Sequence, residues 1–352
     1  MKTNFLIILF VIIILFKITN HIENFDILKS NIKKIDNNSY NSFIYKIEYK
    51  KNKYYILKSN IGTNDEDNLY YEYLVGLFIN KKINKFPCFI RTFDLFLYKN
   101  ETFWNIFRNN VELNSNMLKK AFIRIKDKNI NNINCNKYYG LLLEYVNNSI
   151  SLKSKLEDID FINNELMNVL FQIYFPLKML NNVFSHNDIN YNNILLEKIV
   201  DNKYIELHYI FNDNTEIKFK TQYIAKIIDY GNTYYNENDN NNTLKIYEKI
   251  CLVKDCDNDC YKYKNNMYYK KYIIENYLMD DIIIYFNENN INNENIHFIR
   301  TINDKDLNII YDKILHYLKN NNIPNNYFNK YKKSFDLYIY ENGNNMKKIK
   351  SY

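Results

Sequence analysis

Hydrophobic and polar positions divide the chain into stretches of different period. It opens with an unbroken apolar run from Phe5 to Phe16, with Ile18 beyond Lys17. A run of this length is ambiguous between a buried helix or strand and a membrane segment, and lysine snorkelling would extend it toward a span. No small-residue cleavage site follows, which favours an uncleaved anchor through residues 5–18 over a removable signal peptide; a buried N-terminal element is the alternative. Lys17, Lys29, Lys33 and Lys34 outweigh Lys2 on the other flank, so an anchored chain would face the cytosol. From Ile32 to Lys58 apolar residues recur at period two, around Ile35, Phe43 to Ile47 and Tyr55 to Leu57. That alternation predicts three antiparallel strands with a turn at Lys51-Asn52. Asp67 to Asn80 changes to a helical period, with Leu69, Tyr73, Gly76 and Leu77 on one side and Asp67 near the start.

Further along, Tyr138 to Val146 reads as an apolar strand. Phe161 to Val183 reads as a helix with a broad buried face built on Leu166, Leu170, Tyr174 and Leu177. Ile194 to Leu196 and Tyr204 to Ile210 alternate as strands, and Asn212-Asp213-Asn214 turns the chain into Ile217 to Ile228 as a long hairpin. Tyr277 to Phe286 and Asp304 to Leu318 predict helices. Residues 99–137 read as an insertion with one short helix, and 341–352 as a frayed basic tail.

Composition adjusts this picture in three places. The 352 residues suffice for one large or two modest domains. The net charge of +7 comes from lysines scattered along the chain and not from a block, which argues against a dedicated nucleic-acid surface. Five cysteines, an odd number, make no disulfide framework. Cys251, Cys256 and Cys260 invite a zinc reading, but their spacing is not that of a usual ribbon or finger and no histidine lies close by in sequence; reduced thiols are the alternative.

The candidate chemistry lies at His186-x-Asp188-x-x-x-x-Asn193, flanked on both sides by apolar residues. A short loop carrying an acid and an amide between buried segments suits phosphoryl transfer, in which one carboxylate orients the attacking hydroxyl and oxygen ligands hold magnesium on the nucleotide phosphates. Asp188 can do the first and Asn193 can help with the second. Downstream, Asp229-Tyr230-Gly231 ends a strand-like run. With only five glycines in the chain, at 62, 76, 140, 231 and 343, one directly after an Asp-aromatic pair is hard to ascribe to composition.

This order of motifs resembles the protein-kinase-like superfamily, which includes protein kinases and the choline and aminoglycoside kinases. The run Ile227-Ile228-Asp229-Tyr230-Gly231 and the cysteines after it are most similar to kinase-like proteins of large DNA viruses. The resemblance implies an α+β, bilobal protein-kinase-like fold: a small, mostly antiparallel β lobe with one helix over 28–142, a hinge at 143–148, and a larger, mostly helical lobe over 149–340. It implies ATP and Mg2+ as cofactors, with Asp188 as catalytic base and Asn193 and Asp229 as metal ligands. Tyr55-Ile56-Leu57-Lys58 resembles the strand whose lysine holds nucleotide phosphates, and Glu72 would pair with Lys58, with Glu66 or Asp67 as competitors. Leu143-Glu144-Tyr145-Val146 resembles the hinge, where backbone groups of Glu144 and Val146 would bind the adenine edge. Phe86 to Phe96 resembles the family's next strand. His186 is expected to bond backbone near Asp229, and Asp280 or Asp281 to prop the catalytic loop from below.

The chain departs from the family in three respects. Asn37-x-Ser39-x-x-Ser42 stands where a glycine-rich loop covers the phosphates, Asn190 stands where protein kinases carry lysine, and no Ala-Pro-Glu closes the polar run after Gly231. The expected activity is transfer of the ATP γ-phosphate to a protein Ser/Thr hydroxyl. A small-molecule hydroxyl of the choline or aminoglycoside type, or a pseudokinase serving as a binding module, are the alternatives.

Overall fold

The computed structural model describes residues 32–35, 42–50, 53–61, 69–110, 112–125, 138–235, 277–292, 294–302, 304, 306–320 and 325–350. The possible anchor at 5–18, Asn37 and Ser39, Glu66 and Asp67, and the three clustered cysteines lie outside these residues. Among the described residues no helix is long and apolar enough to cross a membrane. The chain is α+β and divides into two compact units, one drawn from Met1–Leu69 and Phe93–Tyr145, the other from Tyr70–Thr92 and Val146–Tyr352.

The first unit is built on the predicted period-two strands. Strands β1 (Ile32–Ile35), β2 (Ser42–Lys50) and β3 (Lys53–Asn60) are successive antiparallel neighbours. Alternation drives this: Phe43, Tyr45 and Ile47 of β2 are buried on one face while Ile44, Lys46 and Glu48 are half-buried. From Tyr70 on, the helix after β3, α1 (Leu69–Asn80), falls in the second unit, although the resemblance implies one lobe over all of 28–142. Strand β4 is Thr92–Tyr98, later than the expected Phe86 to Phe96, within which Phe89 makes only a single bridge to Ile227.

The described part of the expected insertion, residues 99–110 and 112–125, packs into the first unit's core. It holds two helices, α2 (Glu101–Asn109) and α3 (Ser115–Ala121), and two strands, β5 (Glu112–Leu113) and β6 (Phe122–Arg124), both of which join the sheet. Asn100 and Asn114 cap the helices by accepting from backbone amides three residues on. Trp104, Phe107, Leu118 and Phe122 pack in one cluster with Phe43, Tyr45 and Leu57. The Trp104 indole donates to Asn60 O at 3.0 Å and the Tyr45 hydroxyl to Phe107 O at 2.5 Å, so the buried polar tips of these rings are satisfied. Strand β7 (Tyr139–Glu144) pairs with β3 and completes the order β5-β1-β2-β3-β7-β4-β6.

The second unit begins its larger segment with β8 (Ser149–Ser151), α4 (Leu152–Lys155) and α5 (Ile159–Asn164). The single helix predicted over 161–183 is divided at Glu165, after which α6 (Leu166–Leu180) runs almost wholly buried. A helix apolar all round belongs in a core. Its Phe171 and Phe175 meet Tyr209, Phe219 and Tyr311, and its Gln172 amide both donates to Tyr223 O and accepts from Ala225 N.

Strands β9 (Phe184–Ser185), β10 (Ile194–Lys198), β11 (Lys203–Ile210), β12 (Glu216–Thr221), β13 (Tyr223–Ile227) and β14 (Tyr234–Tyr235) follow. The predicted hairpin is β11–β12, while β13 leaves it to pair with β10. Helices α7 (Tyr277–Glu288), α8 (Glu294–Ile302) and α9 (Leu307–Asn320) come next; α8 was not read from the sequence. The end of the chain corrects the expectation of a frayed tail: β15 (Lys332–Tyr340) lies parallel to β11, and β16 (Lys347–Lys350) pairs antiparallel with β15. Lysine-rich sequence reads as solvated, yet here backbone pairing places it in a sheet whose edge it blunts.

Candidate active site in the second unit

Two connections lie side by side in the second unit, and strand pairing pins both ends of each. The loop His186–Asn193 joins β9 to β10, and the turn Ile228–Thr233 joins β13 to β14. Strand β9 pairs with β14, and β10 with β13, so loop and turn share their anchors. Ile194 stands opposite Ile227, both fully buried, immediately beyond Asn193 and before the turn. The Ile228 amide donates to Asn193 O at 3.0 Å and locks the two connections together.

Within the loop, three side-chain amides converge on Asp188. Asn190 Nδ2 donates to Oδ1 at 2.9 Å, Asn193 Nδ2 to Oδ2 at 3.2 Å and to the Asp188 carbonyl at 3.0 Å, and Asn232 Nδ2, from the turn, lies 3.4 Å from Oδ2. Such donors fix the orientation of the carboxylate. Asn190 also accepts from the amides of Asn192 and Asn193, capping the 3-10 turn Tyr191–Asn193 that delivers Asn193. From below, the Tyr191 amide donates to Asp281 Oδ2 at 3.3 Å, a contact of the kind expected of a prop. Burial raises the Asp281 carboxyl above its usual range, with the Tyr191 amide opposing.

His186 is buried, and its Nε2 donates to Ile228 O at 3.1 Å, the backbone bond expected of it. Burial holds the imidazole below its ordinary value against the pull of the Asp188 and Asp229 carboxylates, so it serves as a neutral strut. Asp229 adopts a left-handed φ of 66°, and Asn187 one of 56°. Asp and Asn tolerate that region better than other non-glycine residues, which explains these residue types at two tight corners. Tyr230 is fully buried beneath the turn; its hydroxyl accepts from Ile90 N and donates to Ile227 O, both at 3.1 Å.

The predicted residues thus fall into two groups. Asp188, Asn193 and Asp229 are brought together around His186 in the second unit, which also holds Val146, buried, and Glu72, buried on α1. Lys58 and Glu144 belong to the first unit: Lys58 is buried on β3 between Ile44 and Leu141, and Glu144 ends β7 opposite Tyr55. Sequence reasoning missed Asn232. Asn232 lies in a polar run of an asparagine-rich chain, where its identity carries no signal.

The donor set at 188, 193 and 229 is made of carboxylate and amide oxygens, the hard ligands that suit Mg2+. An asparagine that gives its Nδ2 to a neighbouring carboxylate keeps its Oδ1 for a cation, so Asn193 fits the role of ligand. A second group, Glu206, His208 and Asp336, gathers metal-ligating atoms within 4.8 Å of one another on β11 and β15. Lys333 already stands there, with Nζ 2.7 Å from Glu206 and 2.6 Å from Asp336, so a side-chain cation is already paired with both carboxylates in an ion-pair network. Scanned against models of known families the chain matches none, and no curated protein matches it significantly.

Proposed function

We propose that this chain is an ATP- and Mg2+-dependent phosphotransferase with a bilobal, protein-kinase-like fold. The observation that carries the reading is the paired loop and turn: Asp188 and Asn193, bonded to each other, are locked to the turn that carries Asp229 by the Ile228 amide. Asp188 accepts the proton of the attacking hydroxyl, and its amide donors hold it aimed. Asn193 and Asp229 hold Mg2+, which when bound neutralises charge on the nucleotide phosphates. On the strength of the resemblance, Lys58 serves the phosphates with Glu72 as its counter-charge, and the Glu144 and Val146 backbone serves the adenine edge.

The acceptor is a protein Ser or Thr hydroxyl. A small-molecule hydroxyl is the second reading, favoured by Asn190: it bonds Asp188 and caps the 3-10 turn but brings no positive charge toward a transferred phosphate. A melting titration with Mg-ATP, followed by labelled ATP offered with peptide pools and with choline, tests these readings. Mg-ATP is expected to raise the melting temperature, and Asp229→Ala to abolish transfer with the fold kept, a loss of about a thousandfold or more. Absence of any nucleotide effect on melting would favour a non-catalytic binding module, and transfer retained by Asp229→Ala would refute the metal-ligand role.

A further inference from the structure

We propose that Tyr71 and Thr233 are positioning residues, through which the helix carrying Glu72, the loop carrying Asp188 and the turn carrying Asp229 are held in one geometry. The catalytic part of this inference rests on the phosphotransferase reading; the coupling itself rests on contacts within the second unit.

Thr233 is fully buried, and its polar groups reach three elements. Its amide donates to Tyr230 O at 3.2 Å, closing the turn over Asp229. Its carbonyl accepts a short hydrogen bond from the Tyr71 hydroxyl of α1. Its own hydroxyl lies 3.4 Å from His186 O, at the head of the Asp188 loop, a long contact that carries less of the coupling than the Tyr71 bond. The circuit closes in the other direction through His186 Nε2 on Ile228 O. Loop and turn are therefore bonded to each other both ways, and the helix is bonded to the turn.

Aromatic packing fixes the helix against the same strands. Tyr71 lies 6.0 Å from Tyr235, and Phe78, two turns along, stacks on Phe184 at 6.2 Å and meets Tyr235 at 5.4 Å. Phe184 and Tyr235 are themselves a cross-strand pair of β9 and β14, at the roots of loop and turn. Glu72 follows Tyr71 directly on α1, so anchoring Tyr71 sets the rotation and height at which Glu72 is presented. A residue that fixes three such elements acts on turnover through geometry, without touching the reacting atoms.

The test uses the full chain as Tyr71→Phe, which keeps the ring, and Thr233→Val, which keeps the shape. Hydrogen exchange without nucleotide is read at 186–193, at 228–233 and, as a control, in α6. Tyr71→Phe is expected to speed exchange in both loop and turn about fivefold or more while α6 is unchanged. The same variant is expected to lower phosphotransfer turnover about tenfold, with the KM for Mg-ATP changed less than about threefold. A rise in exchange confined to α1 would overturn the coupling, and coupled exchange with turnover unchanged would overturn the positioning role. A wild-type chain that neither binds Mg-ATP nor transfers phosphate would refute the phosphotransferase reading and the catalytic part with it, while coupled exchange in that chain would still establish the mechanical link.

Discussion

Glu165, between α5 and α6, shows how one buried acid ties a residue to the pH response of its unit. Burial pushes its carboxyl up to about 8, against the hydrogen bonds of Thr221 and Gln222 and the Lys155 charge. The contacts accommodate a proton there. Thr221 Oγ1 lies 2.7 Å from Glu165 Oε2 and 3.0 Å from Tyr223 O, so a protonated Glu165 can donate to the hydroxyl, which passes its own hydrogen to the carbonyl. The Gln222 amide donates to the other carboxyl oxygen at 2.9 Å. Because the folded chain holds this proton more tightly than the unfolded one, the group costs nothing below the ordinary carboxylate range, and stability falls as pH climbs toward about 8. Glu165→Gln, which keeps a donor and an acceptor, should remove that slope. Urea midpoints at about pH 5 and about pH 8.5 are expected to show the wild type losing up to about 1.4 kcal/mol per pH unit more than the variant across the lower part of this window. Parallel pH dependence of the two proteins would show that Glu165 is ionised in the fold.

At the scale of elements, α1 is informative because it breaks the rule of amphipathic surface helices. The sequence places Leu69, Tyr73, Gly76 and Leu77 on one side, yet residues all round the helix are buried, including Tyr70, Tyr71, Val75 and Ile79, and Leu77 is the one that faces solvent. Gly76 permits the close approach this needs. A Cβ added there would stand 2.1 Å from Thr92 Oγ1 and 2.5 Å from its Cβ. Thr92 has little room to yield, since the Asn80 side chain both donates to its carbonyl and accepts from its amide. Glycine inside a helix ordinarily costs about 1 kcal/mol relative to alanine. Here the overpacking term, typically about 1–3 kcal/mol, opposes that gain, and Gly76→Ala should be net destabilising by about 1 kcal/mol or more. A urea titration checks the sign, and a variant as stable as the wild type would mean that α1 and Thr92 separate freely. The same element marks a limit of pattern reading: the helical period located α1, but its partners Phe184 and Tyr235 lie over a hundred residues on and leave no local trace.

Across the whole molecule, what was legible and what was not divide by the sequence distance of the contacts that decide them. The period-two strands β1 to β3 were legible because burial alternates along each of them and neighbours in sequence pair in space. The Asp188 loop and Asp229 turn stood out as short polar motifs between apolar runs, and the β9–β14 and β10–β13 pairs bring them side by side. Residues 99–137 were not, because the value of Trp104 lies in its reach to Asn60, and that of Phe107 in its meeting with Tyr45. The C-terminal strands were missed for the same reason, since a lysine-rich segment acquires its structure only from β11 beside it. Strand β15 buries Leu337 and Ile339, pairs along the whole of β11 and brings Asp336 to His208 Nε2 at 3.0 Å, with Glu216 of β12 on the other ring nitrogen. Strand β16 is exposed throughout. Two truncations separate these contributions. Ending the chain after Asn342 removes β16 and should cost less than about 1 kcal/mol, as surface changes generally do. Ending it after Lys330 uncovers the β11 edge and leaves Glu206 without Lys333 and His208 without Asp336, and should abolish cooperative melting of the second unit. Thermal melts followed by circular dichroism read both. If the shorter chain melts as cooperatively as the longer one, β15 is an accessory to the sheet and β11 and β12 stand on the α6 and α9 aromatics alone.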